Sequence, residues 1–375
     1  MTLDGHCAAE FAGVRTAFEA EFAAGNEVGA SLCVMVGDDV VVDLWGGVAD
    51  EATRRPWVRD TVATTYSVTK TMTALAILVL ADRGRLDVDQ PVARYWPEFG
   101  RAGKGEVTIA QVLDHTSGVS GWQQPMTIDD LYRQPDAAAA LADQVPWWTP
   151  GDGSGYHALT FGTILAEVIA RVTGTTLGAF LESEIAGPLG ADYRVGMRGG
   201  LDRIAPMVPP PPADVDLTSL PADVEPRRTL GNPVFSPAIT ADPTFLAAEL
   251  GAVNGQGNAR SVARLQSIVT GRGRAGGRAF LSAETVDRIV ETRTDGVDRV
   301  LGVPVRFGLG WALSSPAMPG VPDGDVCWWT GLGGAVVSCD LGRGITVAYV
   351  MNAMAPGLIG APRPNRYLAA VYESL

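Results

Sequence analysis

The hydrophobic residues of this chain follow a strand-like period near both ends and a helical period between them. Near the amino end, the stretches GASLCVMVG and DVVVDLWGG are β-branched, and the connection GDD between them predicts a β-hairpin. Beyond residue 300 four further stretches predict strands: RFGLGWAL, DVCWWTGL, AVVSCDLG and ITVAYVMN. Residues 6–26 and 362–374 have the apolar spacing of helices. This arrangement predicts an antiparallel sheet assembled from both termini.

The middle of the chain, from about 90 to 300, has mostly helical spacing. Its clearest helices are FGTILAEVIARVTG and NARSVARLQSIVTGRG, each closed by glycine. Residues 198–242 are loop-like and include four consecutive prolines. The pattern predicts an α+β fold with a sheet domain of residues 1–60 and 300–375. Residues 61–299 form an inserted, mostly helical domain, and the cleft between the two is the expected ligand site.

Composition narrows the classes of partner. The 375 residues carry a net charge of −13, which argues against binding to nucleic acid or to an anionic membrane surface. Four cysteines without C-x-x-C spacing and three histidines predict no metal site. The start MTLDGHCAAEFAGV has no secretory-signal pattern, and the longest apolar run is too short for a bilayer, so we expect a cytoplasmic protein. Nothing in the composition indicates an oligomeric state.

A serine and a lysine stand three residues apart in an apolar segment at 61–87, TVATTYSVTKTMTALAILVLADRGRLD. Ser67 and Lys70 would share one helix face. The chain has only two lysines, Lys70 and Lys104, against 27 arginines. A buried lysine has a lowered pKa and can act as a neutral base, whereas arginine does not deprotonate. The alternative is a chance pattern whose lysine reaches out to solvent, but no serine of the chain has the competing G-x-S-x-G pattern.

The segment YSVTKTMTALAILVLADRGRLDVDQPV resembles the first motif region of serine β-lactamases and penicillin-binding proteins. The similarity is greatest to the class C-like branch, which includes the family VIII carboxylesterases. Segments at 107–122, 150–174, 252–265 and 328–352 resemble further parts of that family in the same order, so the resemblance covers roughly residues 25–370. It implies the β-lactamase-like fold.

The resemblance also implies a set of site residues. Ser67 matches the nucleophile, Lys70 the base and Tyr156 the tyrosine of the second motif, while the backbone N–H groups of Ser67 and Leu332 form the oxyanion hole. A tyrosine needs a nearby cation to act as a base, and we expect Lys70 to supply that field to Tyr156 in a coupled pair. The expected substrate-binding residues are Trp329, Gly331, His157 and Trp122. His115, in DHTSG, is expected to have a structural role.

Two departures from the penicillin-recognising pattern bear on the substrate. The second motif lacks its asparagine, because Tyr156 is followed by His157 and Ala158. The third motif, K-T-G, has Trp329 in place of lysine, and no lysine follows Lys104. Losing this charge-assisted contact costs on the order of 1.5–3 kcal/mol in binding a carboxylate. We therefore expect small, uncharged esters with short acyl groups as substrates.

The sequence thus predicts a serine carboxylesterase that forms an acyl-enzyme on Ser67 and needs no metal or organic cofactor. Three alternatives remain open. One is an acyltransferase that passes the acyl group to an alcohol, and another is a weak β-lactamase or D-amino-acid peptidase. The third is a non-catalytic binding protein that has kept the fold, against which the intact Ser67, Lys70 and Tyr156 argue.

Overall fold

The computed structural model describes residues 3–210, 217–234 and 236–375. The strands are β1 Leu3–Cys7, β2 Gly29–Val36, β3 Asp39–Asp50, β4 Arg55–Pro56, β5 Val62–Thr64, β6 Arg194–Val195, β7 Ile204–Ala205, β8 Gly255–Gly257, β9 Arg274–Ala275, β10 Arg278–Ala279, β11 Thr294–Val297, β12 Pro304–Phe307, β13 Ala312–Leu313, β14 Val326–Thr330, β15 Val336–Asp340 and β16 Ile345–Met351.

The α-helices are α1 Ala12–Ala23, α2 Thr69–Asp82, α3 Ile109–Leu113, α4 Ile128–Tyr132, α5 Gln134–Asp143, α6 Thr160–Thr173, α7 Leu177–Leu181, α8 Gly187–Leu189, α9 Glu225–Leu230, α10 Pro243–Ala247, α11 Ala259–Thr270, α12 Ala283–Val290 and α13 Pro362–Tyr372. The helices predicted at 161–174, 258–273 and 362–374 are confirmed as α6, α11 and α13. Of the four prolines at 209–212, the last two lie outside the described residues.

A large antiparallel sheet draws its strands from both ends of the chain, which confirms the predicted α+β fold. Its order is β1-β3-β2-β16-β15-β14-β13-β12-β11, and β4 pairs with β3. The stretch RFGLGWAL, predicted as one strand, is two, because β12 and β13 are separated by a turn at 308–311. Helix α11 packs on β2, β15 and β16 although it lies within the predicted helical domain. The division into domains at residues 60 and 300 stays a prediction.

The predicted helix at 6–26 is wrong at its beginning. Residues 3–7 form β1, which pairs with β3 from Leu3 opposite Gly46 to Cys7 opposite Val42. The strand forms because β3 supplies its backbone hydrogen-bond partners, a contact that the local helical spacing does not contain. The helix that follows, α1, buries Val14, Phe18 and Phe22 and packs against α13.

A second, small sheet positions the start of α2. Its order is β6-β8-β5-β7, and every strand has only two or three residues. Strand β5 leads through a 3₁₀ turn at Tyr66–Val68 into α2, whose residues 69–80 are all buried. Helix α2 packs against α6 and α7. In the described part of the chain no single helix is long and apolar enough to cross a membrane; Thr160–Thr173 and Leu177–Leu189 meet that length only together, with a 71° bend between them.

Candidate active site

The turn that carries Ser67 is hydrogen-bonded to strand β8 through the preceding residue. The Thr65 N–H and hydroxyl both donate to the carbonyl of Gly255, at 2.9 and 3.1 Å. Tyr66 then has φ of +45°, in the left-handed region that a bulky residue rarely adopts. Such a residue costs of order 1–3 kcal/mol and persists only where surrounding contacts enforce it. The sharp turn places Ser67 at the edge of a cavity, one turn before Lys70.

Lys70 lies beside Ser67 in a fully enclosed position. Its Nζ is 3.2 Å from Ser67 Oγ and donates to the carbonyls of Ala158 at 2.7 Å and Ala252 at 3.1 Å. The side chain is 1% exposed and has no carboxylate partner among the described residues. Burial therefore lowers the pKa of Lys70 well below its usual range. Burial thus disfavours the charged form of Lys70, which is the direction that the proposed base needs.

Tyr156 completes a hydrogen-bonded group of three side chains. Its hydroxyl donates to Ser67 Oγ at 2.6 Å, and Lys70 Nζ lies 4.7 Å from the centre of its ring. Burial raises the pKa of Tyr156, and the neighbouring Ser67 and Trp329 side chains only partly oppose this effect. Lys70 is not among the causes of this shift, so the expected field of Lys70 on Tyr156 stays a prediction. Tyr156 is a proton donor in this arrangement.

The two backbone N–H groups predicted to form the oxyanion hole, those of Ser67 and Leu332, have no partner within the described residues. The close approach of the two segments requires a glycine at 331, since a Cβ there would lie 2.3 Å from the Thr65 carbonyl oxygen. Gly331 is thus placed as a spacer between the β14–β15 turn and the Ser67 turn.

The cavity at Ser67 and Tyr156 is small and mostly apolar. Its free volume is about 10 Å³, which is room for a single water molecule. The surrounding residues are Leu301, Trp329, Thr330, Leu332, Leu358 and Ile359. The Trp329 ring lies 5.3 Å from that of Tyr156 between ring centres, and its Nε1 reaches no acceptor among the described residues.

Comparison with known proteins establishes the family of the chain. A family model described as Beta-lactamase matches residues 14–371. The chain belongs to the beta-lactamase family. It is 34% identical over 363 residues to Esterase/beta-lactamase LipL of Mycobacterium tuberculosis, covering 93% of this chain and 82% of the relative.

Two solved structures are similar to this chain over its whole length. A family VIII carboxylesterase is 37% identical, with a TM-score of 0.93 and coverage of 100% of both chains. A penicillin-binding protein homologue from Caulobacter crescentus is 33% identical, with a TM-score of 0.91 and the same coverage. These similarities confirm the predicted family and fold.

Two residues predicted to bind substrate in this beta-lactamase family protein lie away from the cavity. His157 is fully buried, with Nδ1 2.6 Å from the Gly155 carbonyl and Nε2 2.5 Å from Ser117 Oγ. Burial lowers the pKa of His157 to about 3, so the ring is neutral. Trp122 donates through Nε1 to the Ala137 carbonyl and lines a different cavity, of about 560 Å³. Neither residue lines the cavity at Ser67, and their role in substrate binding stays a prediction.

His115 has the structural role that the sequence predicts. Its φ is +64°, its Nδ1 accepts from the His157 N–H at 3.1 Å, and its carbonyl accepts from the Gly155 N–H. The ring packs between Tyr156, Phe307 and other aromatic rings. It thereby supports Tyr156 from behind without reaching Ser67.

Four residues at the site were missed by reasoning from sequence. Leu301, Leu358 and Ile359 line the cavity, and Asp298 accepts the backbone N–H of Tyr156 at 3.0 Å. The only sequence signal for any of them is the stretch PGLIG, an apolar pair between glycines in the connection from β16 to α13. In the described part of the chain no group of three or more His, Cys, Asp or Glu side chains could hold a metal ion.

Proposed function

We propose that this protein is a serine carboxylesterase that hydrolyses small, uncharged esters through an acyl-enzyme on Ser67. One observation carries the proposal: Tyr156 Oη, Ser67 Oγ and Lys70 Nζ form a continuous set at 2.6 and 3.2 Å. The esterase names of LipL and of the family VIII carboxylesterase support the same reaction class.

Lys70 acts as the base during acylation. The neutral amine spends its two N–H groups on the carbonyls of Ala158 and Ala252, so its lone pair faces Ser67 Oγ. Ser67 passes its proton to Lys70 as Oγ attacks the ester carbonyl. The backbone N–H groups of Ser67 and Leu332 stabilise the oxyanion that forms.

Tyr156 acts as the acid that releases the alcohol. Its hydroxyl, freed from Ser67 Oγ by the attack, gives its proton to the leaving oxygen, and the Lys70 ammonium returns a proton to Tyr156. In deacylation a water takes the place of the alcohol, and the same two residues accept its proton and return one to Ser67. The ester is hydrolysed to an acid and an alcohol, and Ser67, Lys70 and Tyr156 regain their protonation states.

The substrate class follows from the cavity walls. Trp329 replaces the lysine that would pair with a carboxylate, and leucine and isoleucine side chains form most of the remaining wall. An anionic group would lose its hydration here without gaining a cation in exchange. Short, uncharged acyl groups are favoured by both charge and size.

The test is a panel of p-nitrophenyl esters of increasing acyl length, assayed beside nitrocefin. We expect the highest kcat/KM for the shortest esters and little turnover of nitrocefin. A fluorophosphonate should add to Ser67, located by mass analysis, and the Ser67→Ala variant is the matched control. Comparable turnover of nitrocefin and a short ester would overturn the substrate class, and absence of an adduct would favour a binding protein.

The acyltransferase alternative is decided by the product. The same assay is repeated with a cosubstrate alcohol at low concentration, and the acid and the new ester are quantified. Hydrolysis predicts the free acid as the main product. Dominant transfer to the alcohol would replace the hydrolase assignment while leaving the acyl-enzyme on Ser67 in place.

A further inference from the structure

Asp298 is a buried carboxylate at the candidate active site that the proposed mechanism does not use. It is 0% exposed, and its Oδ1 accepts three backbone N–H groups: Tyr156 at 3.0 Å, Val300 at 2.9 Å and Leu301 at 2.9 Å. Tyr156 is the proposed acid, and Leu301 is part of the cavity wall. One oxygen atom thus joins a reacting residue to a residue that limits the space beside it.

The loop that carries Asp298 is attached to the Tyr156 segment at further points. The Arg299 N–H donates to the Ser154 carbonyl at 2.9 Å, and the Arg299 guanidinium pairs with Asp152 at 3.1 Å. The loop closes on itself, because the Asp298 N–H donates to the Val303 carbonyl at 3.0 Å. The Asp298 contact lies deepest, whereas Asp152 is largely exposed.

No cation neutralises Asp298 in the described part of the chain, and its Oδ2 meets no donor there. Burying a carboxylate without a cation costs free energy, and only its hydrogen bonds offset that cost. Its charge acts on Tyr156: burial is the main cause that raises the pKa of Tyr156, and the Asp298 charge adds to it. The carboxylate therefore favours the protonated tyrosine that the proposed acid requires.

We propose that Asp298 is a positioning residue that holds Tyr156 and the cavity wall at Leu301 in one fixed arrangement, and thereby sets both proton donation and acyl-chain length. This inference rests on the proposed esterase function. The cavity has a free volume of only about 10 Å³, so a small displacement of Leu301 changes which acyl groups fit. The same displacement moves the Tyr156 backbone relative to Ser67.

The test compares Asp298→Ala with Asp298→Asn. Each variant is assayed for the rate at which a fluorophosphonate labels Ser67 and for the ratio of kcat/KM between p-nitrophenyl hexanoate and acetate. In Asp298→Ala we expect labelling to slow by about 100-fold, the effect of a misplacement of about 1 Å. The hexanoate-to-acetate ratio should rise about tenfold or more, as each added methylene finds room.

Conservative variants separate a positioning role of Asp298 from a general loss of structure. Asparagine keeps an oxygen that can accept the three N–H groups, so Asp298→Asn should retain the wild-type chain-length ratio. Asp152→Asn removes an exposed carboxylate from the same pair of segments and should leave the ratio unchanged. Leu301→Ala opens the wall alone, so it should raise the ratio while slowing labelling less than Asp298→Ala does.

Circular dichroism and thermal unfolding establish that each variant is folded. If Asp298→Ala does not fold, Asp298→Ser replaces it, because one short hydroxyl cannot accept all three N–H groups. A folded Asp298→Ala or Asp298→Ser variant with the wild-type ratio and labelling rate would overturn the proposal. A wild-type protein that hydrolyses no ester and is not labelled at Ser67 would instead overturn the esterase function.

Discussion

At the scale of single residues, the two lysines of this chain are both buried but differ in their hydrogen-bond partners. Lys104 Nζ donates to three carbonyls, those of Arg101, Ala142 and Gln144, which use all three N–H groups of an ammonium. Lys70 meets only two carbonyls and has Ser67 Oγ at its third position. Burial lowers the pKa of Lys104 to about 8. The missing third carbonyl is what makes Lys70 a candidate base.

The first prediction concerns Lys70→Arg, which keeps a cation but removes the base. We expect kcat to fall by about 10²–10⁴-fold, the usual contribution of a general base. Because the neutral amine is the active form, wild-type kcat/KM should rise with pH through the lowered pKa of Lys70. The variant should stay inactive at alkaline pH.

Lys104→Met is the matched control for loss of a buried lysine. It should lower the unfolding temperature by leaving three carbonyls without a donor, while the kcat of the folded fraction is kept. Near-normal turnover by Lys70→Arg at any pH would contradict the assigned base.

The second prediction concerns the indole N–H of Trp329. Trp329→Phe keeps an aromatic ring against Tyr156 and removes a buried donor that has no acceptor in the described chain. Stability should hold or rise by about 1 kcal/mol, since an unsatisfied buried group is removed. If substrate is the missing acceptor, KM for short esters should increase. Chemical denaturation and ester kinetics measure the two effects; an unchanged KM would exclude a contact between this N–H and the substrate.

At the scale of elements, the site is formed where three connecting segments meet, each next to the end of a strand or the start of a helix. Strand β5 of the small sheet leads into the Ser67 turn, the β14–β15 turn supplies Leu332, and the segment before α6 supplies Tyr156. None of these is an element interior. Helix α2 and strand β14 both contact the 3₁₀ turn of Ser67, so the segments that meet at the site are packed against regular elements.

The third prediction tests this junction with Gly331→Ala. The added methyl would meet the Thr65 carbonyl at 2.3 Å, so the β14–β15 turn must move away and carry the Leu332 N–H with it. Loss of one oxyanion donor lowers kcat by about 10²–10³-fold. Gly296→Ala is the control, because a Cβ there meets nothing within 4 Å. Equal activity of the two variants would show that Leu332 is not an oxyanion donor.

At the scale of the whole molecule, a buried ionic cluster connects the two ends of the chain. Glu27 pairs with Arg363 at 2.7 Å and accepts the hydroxyls of Tyr349 and Tyr367. These residues come from the connection before β2, from β16 and from α13. The cluster holds the carboxyl-terminal helix on the sheet that both termini build.

The fourth prediction is the stability cost of breaking this cluster. Arg363→Met leaves the Glu27 carboxylate buried without its cation, which costs about 3–5 kcal/mol of unfolding free energy. Urea denaturation measures the loss. Arg101→Ala is the control, because its pair with Asp143 is 60% and 67% exposed and contributes at most about 1 kcal/mol. A similar cost for both variants would argue that the cluster does not join the termini.

The sequence by itself determined the fold class and indicated the candidate residues for the chemistry. Strand and helix periods are local, so the sheet at both ends and helices α6, α11 and α13 could be predicted. The scarcity of lysine and the three-residue spacing of Ser67 and Lys70 are equally local. Because no lysine follows Lys104, the sequence alone excludes a K-T-G motif in the later part of the chain.

Only the tertiary structure decided what surrounds those residues. The acceptors that enclose Lys70 lie 88 and 182 residues away in the chain, and Asp298 lies 142 residues from Tyr156. Strands of two or three residues have no period of their own to detect. His157 and Trp122 stand beside motif residues in sequence, but both are buried and neither lines the cavity at Ser67. Burial and hydrogen-bond partners are set by packing between distant segments, so they decide pKa, cavity size and side-chain direction only after the chain has folded.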